Sequence, residues 1–127
     1  MVTLRLLYTI IAASLVMSMS TLAEQEPNQI YKQTRKYVKM SHVTLYLAFR
    51  KQEVVFWGSN TEWKGGVNED GFKAKFSRAG DTLHFQDVPE MTFEPRRATI
   101  EGSRVIVYFY DRTRDNEMMM EFKPYPP

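Results

Sequence analysis

Cysteine is absent from the chain. That excludes disulfide staples, thiolate nucleophiles, Cys-ligated zinc, CxxC redox motifs and attachment through a lipidated cysteine. Histidine is nearly absent too, with His42 and His84 only. Neither is accompanied by an Asp orienter in sequence, and no Gly-x-Ser-x-Gly elbow occurs. Phosphate-cradling glycine motifs are missing. Asn68-Glu69-Asp70-Gly71 lacks the twelfth-position carboxylate of an EF-hand and reads as a turn. A strong charge excess is also lacking: the formal net charge is +2, which argues against a dedicated nucleic-acid binder. No apolar run reaches the ~20 residues needed to span a bilayer.

What is present begins with an address. Arg5 precedes the apolar run Leu6–Met17, and small or polar residues from Ser18 to Ala23 follow it. This is the order of a secretory signal peptide, with cleavage expected after Ala23. The acidic, Pro-containing Glu24-Gln25-Glu26-Pro27 ends the run. Residues 24–127 then form a single β-rich domain, with room for one core and not two. No Asn-x-Ser/Thr sequon lies in this part. The expected location is the periplasm or the extracellular medium.

Within the domain the hydrophobic period changes once. Over Asn28–Ser41, Lys32, Arg35, Lys36 and Lys39 share one side of a helical wheel, with Ile30, Tyr31, Thr34, Tyr37 and Val38 opposite. The spacing predicts an N-terminal helix over about 28–41, begun by Pro27 and Asn28. From His42 onward the period drops to two. Val43–Phe49 and Glu53–Trp57 form one hairpin, and Phe72–Ser77 and Thr82–Phe85 another, turned at Gly80-Asp81. Ala98–Glu101 and Arg104–Tyr110 form a third across Gly102-Ser103. Glu117–Lys123 is the last strand, and Pro124–Pro127 an extended tail. Pro89 and Pro95 assign 86–97 to an irregular crossing or an edge. The fold class expected is α+β, mostly antiparallel. About seven strands meander into a half-barrel or small barrel, with the helix over one opening.

Candidate function then rests on few groups. Trp57 and Trp63 bracket a loop rich in Gly, Asn, Thr and Lys. Rigid aromatics on such a loop give large contact area at low entropy cost, so Trp57, Asn60, Trp63 and Lys64 are the candidate partner-binding residues. The alternative is that both indoles close the end of the core. The stripe Lys32, Arg35, Lys36 and Lys39 is a possible contact for anionic headgroups or an acidic partner, or else the solvated back of a packed helix. Arg96, Arg97, Arg104, Arg112 and Arg114 add positive charge late in the chain, and Asp111, Asp115 and Glu117, which sit among the last of these, are expected to pair with them across the loop. Met118 and Met120 alternate with Met119 as gap-filling core residues do.

The segment Val88-Pro89-Glu90-Met91-Thr92-Phe93, with His84 upstream, resembles the copper-binding segment of small periplasmic copper/silver chaperones of efflux systems. Val88 and Phe93 stand where that family carries a tryptophan and a second methionine. No metal ligand set, cofactor or catalytic group is assigned. The leading expectation is a non-enzymatic exported module that engages an envelope protein or exported polymer through the aromatic loop and strand edges. An inhibitor or immunity-type role fits by analogy alone. The alternatives are a barrel carrying one small apolar ligand, a periplasmic copper/silver-binding protein, and an enzyme acting on glycan, for which no constellation is found. Neither nucleic acid nor a membrane surface is an expected partner.

Overall fold

The computed structural model describes residues 28–35 and 42–126. The expected signal peptide lies outside them. Eight strands follow one another: β1 (Ile30–Gln33), β2 (Thr44–Phe49), β3 (Glu53–Ser59), β4 (Phe72–Ala79), β5 (Thr82–Gln86), β6 (Phe93–Glu101), β7 (Arg104–Asp111) and β8 (Asn116–Tyr125). Each pairs antiparallel with its sequence neighbour, and β1 also pairs with β8, closing an up-and-down barrel.

The inward side of the wall follows the period-two pattern. Tyr31, Leu47, Phe49, Val54, Phe56, Ala74, Phe76, Leu83, Ala98, Ile100, Val105, Val107, Phe109, Met120 and Phe122 form one buried core. An eight-stranded barrel is just wide enough for such side chains to meet across its axis. The two ends differ. At one end the connections are tight: Arg50–Gln52, Gly80-Asp81 and Gly102-Ser103. Gly80 and Gly102 sit at φ of +62° and +64°, where a Cβ would be strained. At the other end the connections 60–71, 87–92 and 112–115 are longer, and β1 ends and β2 begins there too.

Three expectations need correction. First, the start of the expected helix is a strand: Ile30–Gln33 supplies β1, and Thr34 and Arg35 continue as a bend. Helical spacing in this segment is outweighed by tertiary pairing, because the barrel needs these residues to join β8 to β2. Tyr31 and Gln33 are buried inward, while Ile30 and Lys32 lie on the outer wall. The outward Ile30 packs into a second cluster, and the Lys32 ammonium stands 5.0 Å from the Tyr125 ring centre. Residues 36–41 of the expected helix lie outside the described residues. Second, Pro95 is part of β6, where a register shift between Pro95 and Arg97 accommodates it. Third, the expected tail is partly strand, for Pro124 and Tyr125 pair with Tyr31 and Ile30.

Candidate functional site

Two aromatic sites stand out on this frame, one inside the wall and one outside it. The inner one is a cup of about 410 Å³ at the long-loop end. Leu45, Phe56, Phe72, Phe93, Phe109 and Met120 line it, with Pro95, Met91 and Thr92 toward the rim. These side chains are there because β2, β3, β4, β6, β7 and β8 each present an inward apolar position near that end. Phe56 anchors one side: its ring meets Phe72 at 6.2 Å, Phe85 at 5.9 Å and Phe109 at 6.0 Å between centroids. Leu45, Phe72, Met91 and Phe93 are half-exposed, as residues around an open mouth must be. The chemistry offered is contact with an apolar surface, with little to hydrogen-bond or ionise.

Gln33 braces the cup. β1 ends with Gln33 opposite Phe122, and among the described residues no strand lies between β2 and β8 nearer the mouth. The Gln33 side chain bridges that gap: its Oε1 accepts from the Leu45 N–H at 3.1 Å, and its Nε2 donates to the Met120 sulfur at 3.2 Å. Arg112 ties the rim on the other side. Its N–H donates to the Thr92 carbonyl, while its guanidinium pairs with Glu94 at 3.2 Å and Glu90 at 3.7 Å.

The outer site is built by the 60–71 connection folding back on the barrel. Trp57, Tyr46, Val55, Ala48 and Ile30 are buried on the outer wall, beneath Trp63, Val67 and Tyr125. The Tyr46 ring stacks on Trp57 at 5.9 Å, and Trp63 meets Trp57 edge-on at 5.9 Å. Trp63 is held at three points. Its N–H donates to the Tyr46 hydroxyl at 3.0 Å, its indole N–H to the Gly66 carbonyl at 2.7 Å, and its carbonyl accepts from the Tyr125 hydroxyl at 3.0 Å. The Tyr125 hydroxyl also donates to Glu62. That carboxylate, with some burial, holds the phenol above its ordinary range. An Arg50–Glu69 ion pair pins the far end of the loop. The Trp57 indole N–H is buried with no hydrogen-bond partner among the described residues.

Of the residues singled out from sequence, Trp57 is 5% exposed, Trp63 half-buried, and Asn60 and Lys64 exposed. Lys32 lies on the outer wall and Arg35 in the bend after β1, so they do not form a helical face; Lys36 and Lys39 lie outside the described residues. Closure leaves every strand a neighbour on both sides, which restricts the expected strand edges. Glu117 pairs with Arg97 on β6 and Arg112 with Glu90 and Glu94, so these pairs run between elements and not across the 111–116 loop as expected; Arg104 pairs with Glu101 and Glu121. That pairing, led by the Arg104 hydrogen bond, holds the Glu121 carboxyl below its usual range. Asp115 accepts from Tyr110, which raises that phenol, and Asp111 accepts from the Thr113 N–H and hydroxyl across the turn.

His84 is exposed on β5, whereas Met91 lines the cup. Met118 packs inward and Met120 lines the cup, with Met119 70% exposed outside. Among the described residues no three His, Asp or Glu side chains converge to hold a metal. The cup residues were legible only as core, because period two shows which face a residue takes and not where along the barrel it sits. One signal did exist: Phe72 and Phe93 each open a strand directly after a long loop. Compared with protein-family models, curated proteins and solved structures, the chain matches none.

Proposed function

We propose that this is an exported, non-enzymatic barrel that binds one small apolar molecule in the cup at its long-loop end. The observation that carries the reading is the cup itself: about 410 Å³, open at one mouth and lined by four phenylalanines, a leucine and methionines. Small-molecule sites are typically concave, mostly apolar and ~300–1,000 Å³, and β-barrel mouths are a favoured place for them. An eight-stranded barrel has room for one such ligand.

The alternative reading, a partner held by the aromatic loop, has less support. The backbone and indole N–H groups of Trp63 and its carbonyl are engaged within the chain, and Trp57 lies under it. Export is inferred from the arrangement of residues 1–23, which follows the order of a secretory signal peptide.

The test is direct. N-phenyl-1-naphthylamine, an uncharged naphthyl dye that brightens in apolar surroundings, is expected to bind the mature chain with one-to-one stoichiometry. Leu45→Trp places an indole in the mouth and is expected to weaken that binding at least about tenfold, a loss of ~1.4 kcal/mol. Dye binding that Leu45→Trp leaves unchanged contradicts the proposal.

A further inference from the structure

The cup occupies only one end of the barrel, and what stops it is visible. Beyond Phe56 and Phe109, toward the tight-turn end, the interior is filled by Leu47, Phe49, Val54, Leu83, Val105 and Val107, each at most 2% exposed. Phe49 is wedged edge-on between Tyr31 and Phe76, with centroids 5.8 and 5.9 Å away. Such packing is close to crystal density and does not open for a ligand without displacing side chains. The floor is therefore the Phe56–Phe109 pair, whose rings meet at an angle of 67°.

The height of the wall above that floor is short. β3 runs only from Phe56 to Ser59 before the chain leaves the barrel. At ~3.3 Å per residue that is about 10 Å along the strand, and the ~40° tilt of strands in a closed barrel leaves about 8 Å of depth. Gly58, which lines the cup from this wall, leaves room that a side chain would take: a Cβ there would meet Val43 at 2.7 Å. An extended alkyl chain advances about 1.25 Å per carbon at C–C bond lengths near 1.5 Å. The cup thus takes on the order of six carbons end-on. Its volume and its breadth, set by phenyl rings from four strands, suit a compact ring system equally well.

Resting on the carrier reading above, we infer that the Phe56–Phe109 floor acts as a ruler, so that the protein selects ring-sized or medium-chain apolar molecules and gains nothing from longer acyl chains. Methylenes that enter the cup strengthen binding; those that cannot pass the floor remain in water at the mouth.

A homologous series of 1-alkanols, butanol to dodecanol, displacing N-phenyl-1-naphthylamine from the mature chain, tests this. Affinity is expected to rise about fourfold per methylene. The rise is expected to stop near hexanol. Phe109→Leu, which shortens the floor side chain while keeping it apolar, is expected to move the break to a longer alcohol. A rise that continues unbroken through dodecanol in the unaltered protein overturns the ruler while leaving the carrier reading intact. Failure of both dye and alkanols to bind overturns the two together. The break in the unaltered protein decides the matter even if Phe109→Leu folds poorly.

Discussion

At the scale of single residues, Trp63 is the instructive case. Its sequence neighbours are turn formers, which makes an indole among them look displayed. In the fold it caps an apolar patch on the outside of the wall, with Trp57 and Tyr46 beneath it. No local pattern reveals this, because the groups that hold Trp63 in place, the Tyr46 and Tyr125 hydroxyls, are far away in sequence. The alternative that the indoles close over core was legible, although the core they close is outside the barrel. Trp63→Ala removes a half-buried indole and its bond to Gly66, at a cost of about 2 kcal/mol where a fully buried Trp→Ala costs ~3–5. In a domain this small that lowers Tm on the order of 10 °C. Calorimetry should find this loss with dye affinity changed less than about twofold. An unchanged Tm together with lost capture of a protein partner contradicts the structural role given to Trp63.

At the scale of elements, the hairpins were legible and the first strand was not. Val105, Val107 and Phe109 alternate with Ile106, Tyr108 and Tyr110, and both sets are at least half-buried in β7. Ile30–Gln33 alternates as well, but its outward positions are Ile and Lys. That mixture reads as no strand face until Tyr125 and the folded-back loop are seen to cover it. β1 is also short, so pairing energy alone cannot hold both seams. Gln33 extends it with a side chain in place of backbone, satisfying the Leu45 N–H and touching Met120. Gln33→Ala strands a partly buried N–H, at a cost of about 1–3 kcal/mol. Because Leu45 and Met120 line the cup, the same substitution is expected to weaken dye binding several-fold. Hydrogen exchange of the Leu45 amide together with a dye titration checks both. Unaltered protection at Leu45 removes the bracing role.

At the scale of the whole molecule, closure is the decisive property. A meander of short strands at regular intervals pointed to a barrel or half-barrel, and the β1–β8 ladder makes it a complete one. The sequence could not establish this, because the closing pair joins the two ends of the domain and depends on a segment whose local period suggests helix. Closure turns one set of core residues into two: a packed half, and an open half ringed by phenylalanine. The proposed occupant of that open half is one small apolar molecule. Amide chemical-shift mapping of isotope-labelled residues 24–127 with N-phenyl-1-naphthylamine decides between the two halves. The largest shifts are expected on Leu45, Phe56, Phe72, Phe93 and Phe109, with Val54 and Val105 nearly still. Shifts confined to Asn60–Gly66, or no shifts at saturating dye, would contradict the proposal.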